Sequence, residues 1–241
     1  MENRLTRELT ILPSMCDSSA ALGVPDAFAL FMDIATEHAR DLGCGIDVLG
    51  PRGLFWLTVR TRVRFLRRPK MLERAVLSTW PEPPGKLRAD RDYVLECDGE
   101  PLVKGKTEWA VLDQNTGRLH PTADVFAPDF DFWPDAVWTE PFARMPDAPL
   151  EEYARYTVRS TDIDLGGHMN NAAYVRALAG TFSCEAWQGM NIRELEVSYR
   201  ASCYEGDTLV WQRRKDADGS LALRAALPDG KTILLARLIS A

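Results

Sequence analysis

The sequence predicts an α+β fold in which a long helix is embraced by an antiparallel sheet, and it predicts that arrangement twice. Three observations carry the reading. Phe55 to Phe65 alternates with a period of two, as a half-buried strand does. Pro25 to Leu42 places apolar residues at three- and four-residue steps, the period of an amphipathic helix. The order strand, helix, strands then recurs with an offset of roughly 145 positions and little residue identity, which is a duplicated architecture and not a short-period solenoid.

In chain order, Thr6 to Leu12 reads as a strand, followed by a polar turn through Cys16 to Ala20. Pro25 suits the first helical position, Phe28, Phe31, Ile34, Ala35, His38 and Leu42 form the apolar stripe, and Gly43 stops the run. His38 on that stripe reads as a structural or edge histidine. Along Phe55–Phe65 the residues Phe55, Leu57, Val59, Thr61, Val63 and Phe65 are expected on the core face. Trp56, Thr58, Arg60, Arg62 and Arg64 are expected on the other. Strands follow at Ala75–Trp80, Lys86–Cys97 and Glu100–Asp113, joined by the turn signals Pro83-Pro84-Gly85 and Asp98-Gly99. Asn115 to Pro149 lacks a sustained period and marks a connecting segment whose aromatic residues predict that it packs down. The second half then reads as a strand at Tyr153–Arg159, a helix from about Asn171 to Trp187, and strands near Arg193–Ala201, Asp207–Arg214, Leu221–Leu227 and Thr232–Ile239. The corresponding division is an N-terminal domain 1–135, a linker 136–152 and a C-terminal domain 153–241.

A chain of 241 residues with 46% hydrophobic and 27% charged residues can bury a sizeable core. No run approaches the length of a membrane span, and the first seven residues lack the apolar core of a signal peptide, so a cytoplasmic protein is expected. Five cysteines without paired spacing fit reduced thiols. A net charge of −6 argues against nucleic acid as a partner.

The chemistry concentrates in Ser160-Thr-Asp-Ile-Asp-Leu-Gly-Gly-His-Met-Asn-Asn-Ala-Ala-Tyr174. Gly166-Gly167 permits a tight turn and Asn170 or Asn171 can cap the helix that follows. A helix start presents unpaired N–H groups and the positive end of the helix dipole, which suit an oxygen that becomes negative during acyl transfer. Asp162 and Asp164 are expected to take different jobs, Asp164 facing the site and Asp162 serving the turn. The same residues also make an ordinary turn and cap. Calcium fits poorly, because an EF-hand loop starting at Asp162 would place Ala173 where its twelfth-position Glu belongs. A transition-metal site on Asp162, Asp164 and His168 lacks a second His or Cys nearby.

Asp162, Asp164, Gly167, His168, Asn170, Asn171 and Tyr174 together resemble the signature of hotdog-fold thioesterases, and within them the acyl-ACP thioesterases. Weaker matches run through the first half, among them Ala35 to Gly43, Trp56 to Arg60, Thr79-Trp80-Pro81, Arg91-Asp92 and Trp109 to Asp113. The resemblance implies a tandem (double) hotdog that hydrolyses fatty acyl-ACP to free fatty acid, as a monomer or homodimer, with no metal and no organic cofactor. It implies that Asp164 attacks the thioester carbonyl or activates water, that His168 orients Asp164 or the water and helps protonate the leaving thiolate, and that Asn170 and Asn171 form the helix start at the oxyanion. Cys203 falls where plant members carry a cysteine once assigned as nucleophile; a half-buried strand thiol is the other reading. Phe28, Phe31 and Tyr174 are the expected acyl-binding residues.

The sequence departs from the plant pattern at Gly166, where the family has Asn, and at Ser202, where it has Glu. Ala177 and Gly180 stand where Trp and Glu often follow the Tyr. A hotdog hydrolase for acyl-CoA and a non-catalytic acyl-thioester binder are the alternative readings. Because acyl carrier protein is acidic, Arg60, Arg62, Arg64, Arg67, Arg68 and Lys70 are expected to form a carrier-docking stripe.

Overall fold

Strands of both halves merge into one antiparallel sheet of eleven strands among the described residues, 3–146 and 150–241 of a computed structural model. The end of the connecting segment, at 147–149, lies outside the described residues. The first half contains β1 (Leu5–Thr10), α1 (Val24–Asp41), the single turn α2 (Ile46–Leu49), β2 (Leu54–Phe65), β3 (Arg74–Pro81), β4 (Ala89–Cys97), β5 (Glu100–Asp113) and β6 (Arg118–His120). The second contains β7 (Glu151–Thr157), α3 (Asn171–Ala179), α4 (Cys184–Gly189), β8 (Ile192–Tyr199), β9 (Thr208–Lys215), β10 (Leu221–Ala226) and β11 (Thr232–Ser240). The spatial order is β1-β3-β4-β5-β2-β8-β11-β10-β9-β7, with β6 added beside β5. Each half therefore keeps its strands together, and the halves meet edge to edge where β2 pairs with β8, Arg60 opposite Ser198 and Arg64 opposite Glu194.

Helix α1 forms as its period predicts. Pro25 lies in the first turn, where its missing N–H would have no intrahelical partner, and Gly43 at φ 69° takes the left-handed conformation that ends the run. Phe28, Phe31, Ile34, Ala35 and His38 are buried, and α1 packs beside α3, with the Asp26 carboxylate 3.6 Å from the Arg176 guanidinium. One apolar cluster runs through both halves and includes Phe31, Tyr93, Leu178 and Trp211.

The structure corrects three expectations. The helix expected to reach Trp187 is two helices. Gly180 is the C-cap of α3, the Thr181 hydroxyl donates to the Leu178 carbonyl at 2.6 Å, and Ser183 caps α4 by accepting from the Ala186 N–H. In β2 a bulge between Thr58 and Arg60 inserts Val59 and reverses the faces N-terminal to it. Trp56 and Thr58 consequently point inward: the Trp56 indole donates to the Cys44 carbonyl at 2.9 Å, and Thr58 meets α3. The bulge redirects two side chains that simple alternation puts outside.

The third correction concerns the arginine stripe. Arg60 pairs with Glu108 at 2.7 Å, Arg62 with Glu196 at 2.6 Å and Arg64 with Glu194 at 2.8 Å. The connecting segment lies over them, with Phe142 stacked on Arg60 and Arg62 and Trp138 on Arg62 and Arg64. Its backbone completes the layer: the Pro141 carbonyl accepts from Arg62 and the Ala143 N–H donates to Glu196. Arg62 is 5% exposed. Arg62 and Arg64 thus bind β2 to β8 through Glu196 and Glu194, and Arg60 binds it to β5 through Glu108, so the stripe is an ion-paired layer under the connecting segment and not an open basic surface. Beyond the strand, Arg67 pairs with Glu73 and Arg68 with Asp17.

Candidate active site

The Asp-x-Asp stretch forms a small reversal that leads into α3. Residues Ser160–Asp162 make one turn of 3₁₀ helix, Ile163 bridges Met169, and between them the Asp164 N–H donates to the His168 carbonyl while the Gly167 N–H donates back to the Asp164 carbonyl. Gly167 has φ 76°, a conformation in which a side chain would be strained. The two aspartates diverge as expected. The Asp162 carboxylate turns back to accept from the Tyr156 hydroxyl at 2.7 Å and the Arg159 N–H at 2.8 Å. That of Asp164 turns forward, accepting from the Gly166 N–H at 2.8 Å, and its Oδ1 lies 3.9 Å from His168 Nδ1. Both side chains keep access to solvent, at 28% exposure for Asp164 and 40% for His168.

Gly166 sits between them. A Cβ at that position would lie 3.1 Å from both Asp164 Oδ1 and His168 Nε2. Glycine there therefore leaves open the space between carboxylate and imidazole, and a larger residue would occupy it. Among the described residues no three His, Cys, Asp or Glu side chains converge as metal ligands do.

Helix α3 begins directly behind this turn. The Asn170 side chain accepts from the Ala172 N–H at 2.8 Å and is the cap; its own N–H donates to the Asp162 carbonyl. Asn171 has a different task, donating from Nδ2 to Thr58 Oγ1 at 2.8 Å, while its carbonyl accepts from the Tyr199 hydroxyl at 3.2 Å. The helix start is thus fixed to the first half of the chain through Thr58 and to its own sheet through Tyr199. Neither partner was identifiable from the motif. Thr58 reaches α3 only because of the bulge at Val59, and Tyr199 through strand pairing across the second half.

Cys203 lies beneath the turn and not at its surface. Its carbonyl accepts from the Met169 N–H at 2.9 Å, its N–H donates to the Tyr174 hydroxyl oxygen at 3.1 Å, and that hydroxyl donates to Sγ at 3.3 Å. The residue is fully buried, and burial pushes its thiol pKa up. A nucleophilic cysteine needs the opposite shift. Tyr174 is correspondingly committed to holding this loop against α3. Phe28 and Phe31 are buried on α1; the Phe31 ring stacks on Tyr93 at 4.6 Å and fills the space above Gly105, where a Cβ would come within 2.2 Å of it.

Two family models together cover most of the chain: the acyl-ACP thioesterase N-terminal domain matches residues 2–128 and the C-terminal domain matches 148–230. The chain belongs to the acyl-ACP thioesterase family. Among curated relatives, the chloroplastic oleoyl-acyl carrier protein thioesterase 2 of Arabidopsis thaliana is 22% identical over 201 residues, covering 74% of this chain and 54% of that protein. The chain thus spans about half the length of the curated acyl-ACP thioesterases it matches. In fold it is similar to an acyl-ACP thioesterase from Bacteroides thetaiotaomicron, with a TM-score of 0.91 at 22% identity over 99% of this chain and 98% of the other. The 12:0-ACP thioesterase from Umbellularia californica gives a TM-score of 0.83 at 19% identity over 100% and 98% of the two chains. Both likenesses extend over nearly the whole chain and show a shared fold.

Proposed function

We propose that the protein hydrolyses fatty acyl-ACP to free fatty acid and ACP, without a metal or organic cofactor, and that each half is a hotdog, the pair forming a tandem hotdog. The observation that carries the proposal is the juxtaposition of Asp164 and His168 across the Gly166-Gly167 turn, at the start of α3, in a chain that both family models match. In this reading Asp164 takes the proton of a water as it adds to the thioester carbonyl. First-turn N–H groups of α3 stabilise the oxyanion, one such donor being worth ~10²–10³ in rate. Collapse of the adduct breaks the C–S bond, and His168 protonates the departing thiolate. Cys203 is a positioning residue: it holds Met169, next to His168, and the end of the Asp-x-Asp turn against α3.

The acyl chain would lie in the N-terminal half, beside α1 and Phe31, and the carrier would be met by cations outside the buried layer, Arg67, Arg68 and Lys70. Purified protein assayed with acyl-ACP and acyl-CoA of matched chain length tests the proposal. Release of fatty acid from acyl-ACP with a higher kcat/KM than from acyl-CoA supports it. Preference for the CoA ester supports the acyl-CoA hydrolase reading, and binding without turnover the non-catalytic one.

A further inference from the structure

The strand order is symmetric about the β2–β8 junction: β1-β3-β4-β5-β2 on one side answers β7-β9-β10-β11-β8 on the other. The segment ahead of α1 therefore stands where the candidate catalytic turn stands ahead of α3, and the two agree bond for bond. Pro13–Met15 makes a 3₁₀ turn as Ser160–Asp162 does, and Cys16 bridges Leu22 as Ile163 bridges Met169. Between the bridged residues the Asp17 N–H donates to the Ala21 carbonyl and the Ala20 N–H to the Asp17 carbonyl, both at 3.0 Å; Asp164 and Gly167 make the same two bonds at the same distance. The Leu22 N–H reaches the Pro69 carbonyl as that of Met169 reaches Cys203, and the Gly23 N–H reaches Met15 as that of Asn170 reaches Asp162. Asp17 thus occupies the position of Asp164, Ser19 that of Gly166, Ala21 that of His168, and Arg68 that of Ser202.

The carboxylates themselves correspond. Asp17 Oδ1 accepts from the Ser19 N–H at 2.9 Å, the counterpart of the bond from the Gly166 N–H to Asp164 at 2.8 Å. Ala20 is held at φ 53°, the left-handed conformation that Gly167 takes at 76°. A residue with a Cβ is strained there, so the first half keeps the shape of the turn at a cost in strain. A hollow of about 460 Å³ opens beside it, lined by Ser19, Ala21 and Arg68 among others. Two changes remove the chemistry. Alanine stands where the imidazole belongs, and Arg68, from the loop between β2 and β3, pairs with Asp17 and donates to the Ser19 hydroxyl at 3.0 Å. Among the described residues no arginine pairs with Asp164. Burial would raise the Asp17 pKa, yet the bonds from Ser19 and Arg68 bring it below the usual carboxylate range, and a carboxylate so held is a poor base.

Resting on the thioesterase reading, we propose that the first half carries a second, silenced thioesterase site, with Asp17 as its carboxylate, kept idle by alanine at position 21 and by the capture of Asp17 by Arg68. With Arg68 removed and an imidazole introduced at position 21, Asp17 takes a proton from the water that adds to the thioester carbonyl. The imidazole gives a proton to the thiolate as the C–S bond breaks, so that water and thioester become acid and thiol.

The test uses the full chain carrying Asp164→Asn, which idles the second-half site, and a short acyl-pantetheine, with which contacts between Arg68 and a carrier do not enter. Thiol release is followed for this chain and for the same chain with Ser19→Gly, Ala21→His and Arg68→Ser added. A positioned acid or base contributes ~10²–10⁴ in rate, so even an imperfectly aligned site should raise the rate about tenfold over the Asp164→Asn chain, and adding Asp17→Asn should remove the gain. Where melting shows the loop destabilised, Arg68→Gln replaces Arg68→Ser, because it keeps a donor for the Leu22 carbonyl that Arg68 bonds at 3.3 Å. A folded variant without gain overturns the inference, as does a gain that survives Asp17→Asn. Carboxylate ¹³C titration reads the lock independently of turnover and folding of the combined variant: Arg68→Ser alone should raise the Asp17 pKa, and an unchanged titration also overturns the inference. The native chain, assayed alongside, separates the two readings. Native turnover with no gain in the variant sinks this inference alone, whereas a native chain that hydrolyses neither acyl-pantetheine nor acyl-ACP sinks the thioesterase reading and this inference with it.

Discussion

Replacing Arg62 with methionine should strike stability, not carrier recognition. The guanidinium is nearly excluded from water, donates to Glu196 at 2.6 Å and to the Pro141 carbonyl at 2.7 Å, and sits beneath Trp138 and Phe142. Glu194 would keep Arg64 at 2.8 Å, so the orphan is Glu196, 1% exposed and left with only the Ala143 N–H. Removing one partner of a buried pair costs about 3–5 kcal/mol. At about 2–4 °C per kcal/mol for a chain of this size, melting should fall by about 6–20 °C. The pH dependence has a definite sign. Burial already raises the Glu196 pKa in the folded protein, and Arg62 opposes that rise. A carboxyl with a raised folded pKa is neutral in effect below its unfolded pKa of ~4.3, weakens the fold progressively as pH rises above that, and does so fully once pH exceeds the folded value. Loss of Arg62 raises the folded value further, so the deficit should be largest at neutral pH and shrink as pH falls toward ~4.3. Urea unfolding at several pH values from neutral downward, with Arg62→Met/Glu196→Gln as the double variant, measures it; the double variant should recover part of the loss. A deficit below about 1 kcal/mol, the range of exposed pairs, would refute the reasoning. So would unchanged stability accompanied by a selective rise in KM for acyl-ACP.

Asp164→Asn should abolish hydrolysis with little change in melting, whereas Asp162→Asn, which weakens the bonds to Tyr156 and Arg159, should lower stability first; comparison of kcat and melting for the two variants separates the roles. Cys203→Ser should retain most of kcat, and native protein should react slowly with iodoacetamide at this position; rapid alkylation with loss of activity would restore the nucleophile reading. Gly166→Ala places a methyl group 3.1 Å from both Asp164 and His168 and should lower kcat, by up to ~10²-fold if they separate by about 1 Å, while leaving the fold intact by circular dichroism.

How far these sites could be read in advance follows the range of the interactions involved. The helix α1, the turn at Gly167 and the opposite directions of the Asp162 and Asp164 side chains are set within a few residues, by a period, a positive φ and short side-chain to backbone bonds, and the sequence displays each. The break after Ala179 was also local, since Gly180 and Ser183 are ordinary stop and start residues; the apolar content through Trp187 hid them. Arg62 is different. Its partner Glu196 lies 134 positions away and becomes its neighbour only when the two sheets join. A row of alternating arginines reads as a solvated face until the acidic row of β8 is set against it and a proline-rich segment is laid on top. Thr58 shows the same limit in a single residue. Alternation sends it outward, the Val59 bulge turns it inward, and only then can it hold Asn171 at the start of α3. A one-residue irregularity in the first half thus fixes the position of the candidate catalytic turn in the second. Thr58→Val is the corresponding test. It deletes one part-buried hydrogen bond worth about 1 kcal/mol and should leave the sheet intact, yet it frees the helix start on which the Asp164–His168 geometry rests. A fall in kcat larger than the stability loss would show that the bulge serves the site, whereas proportional small losses would reduce Thr58 to a packing contact.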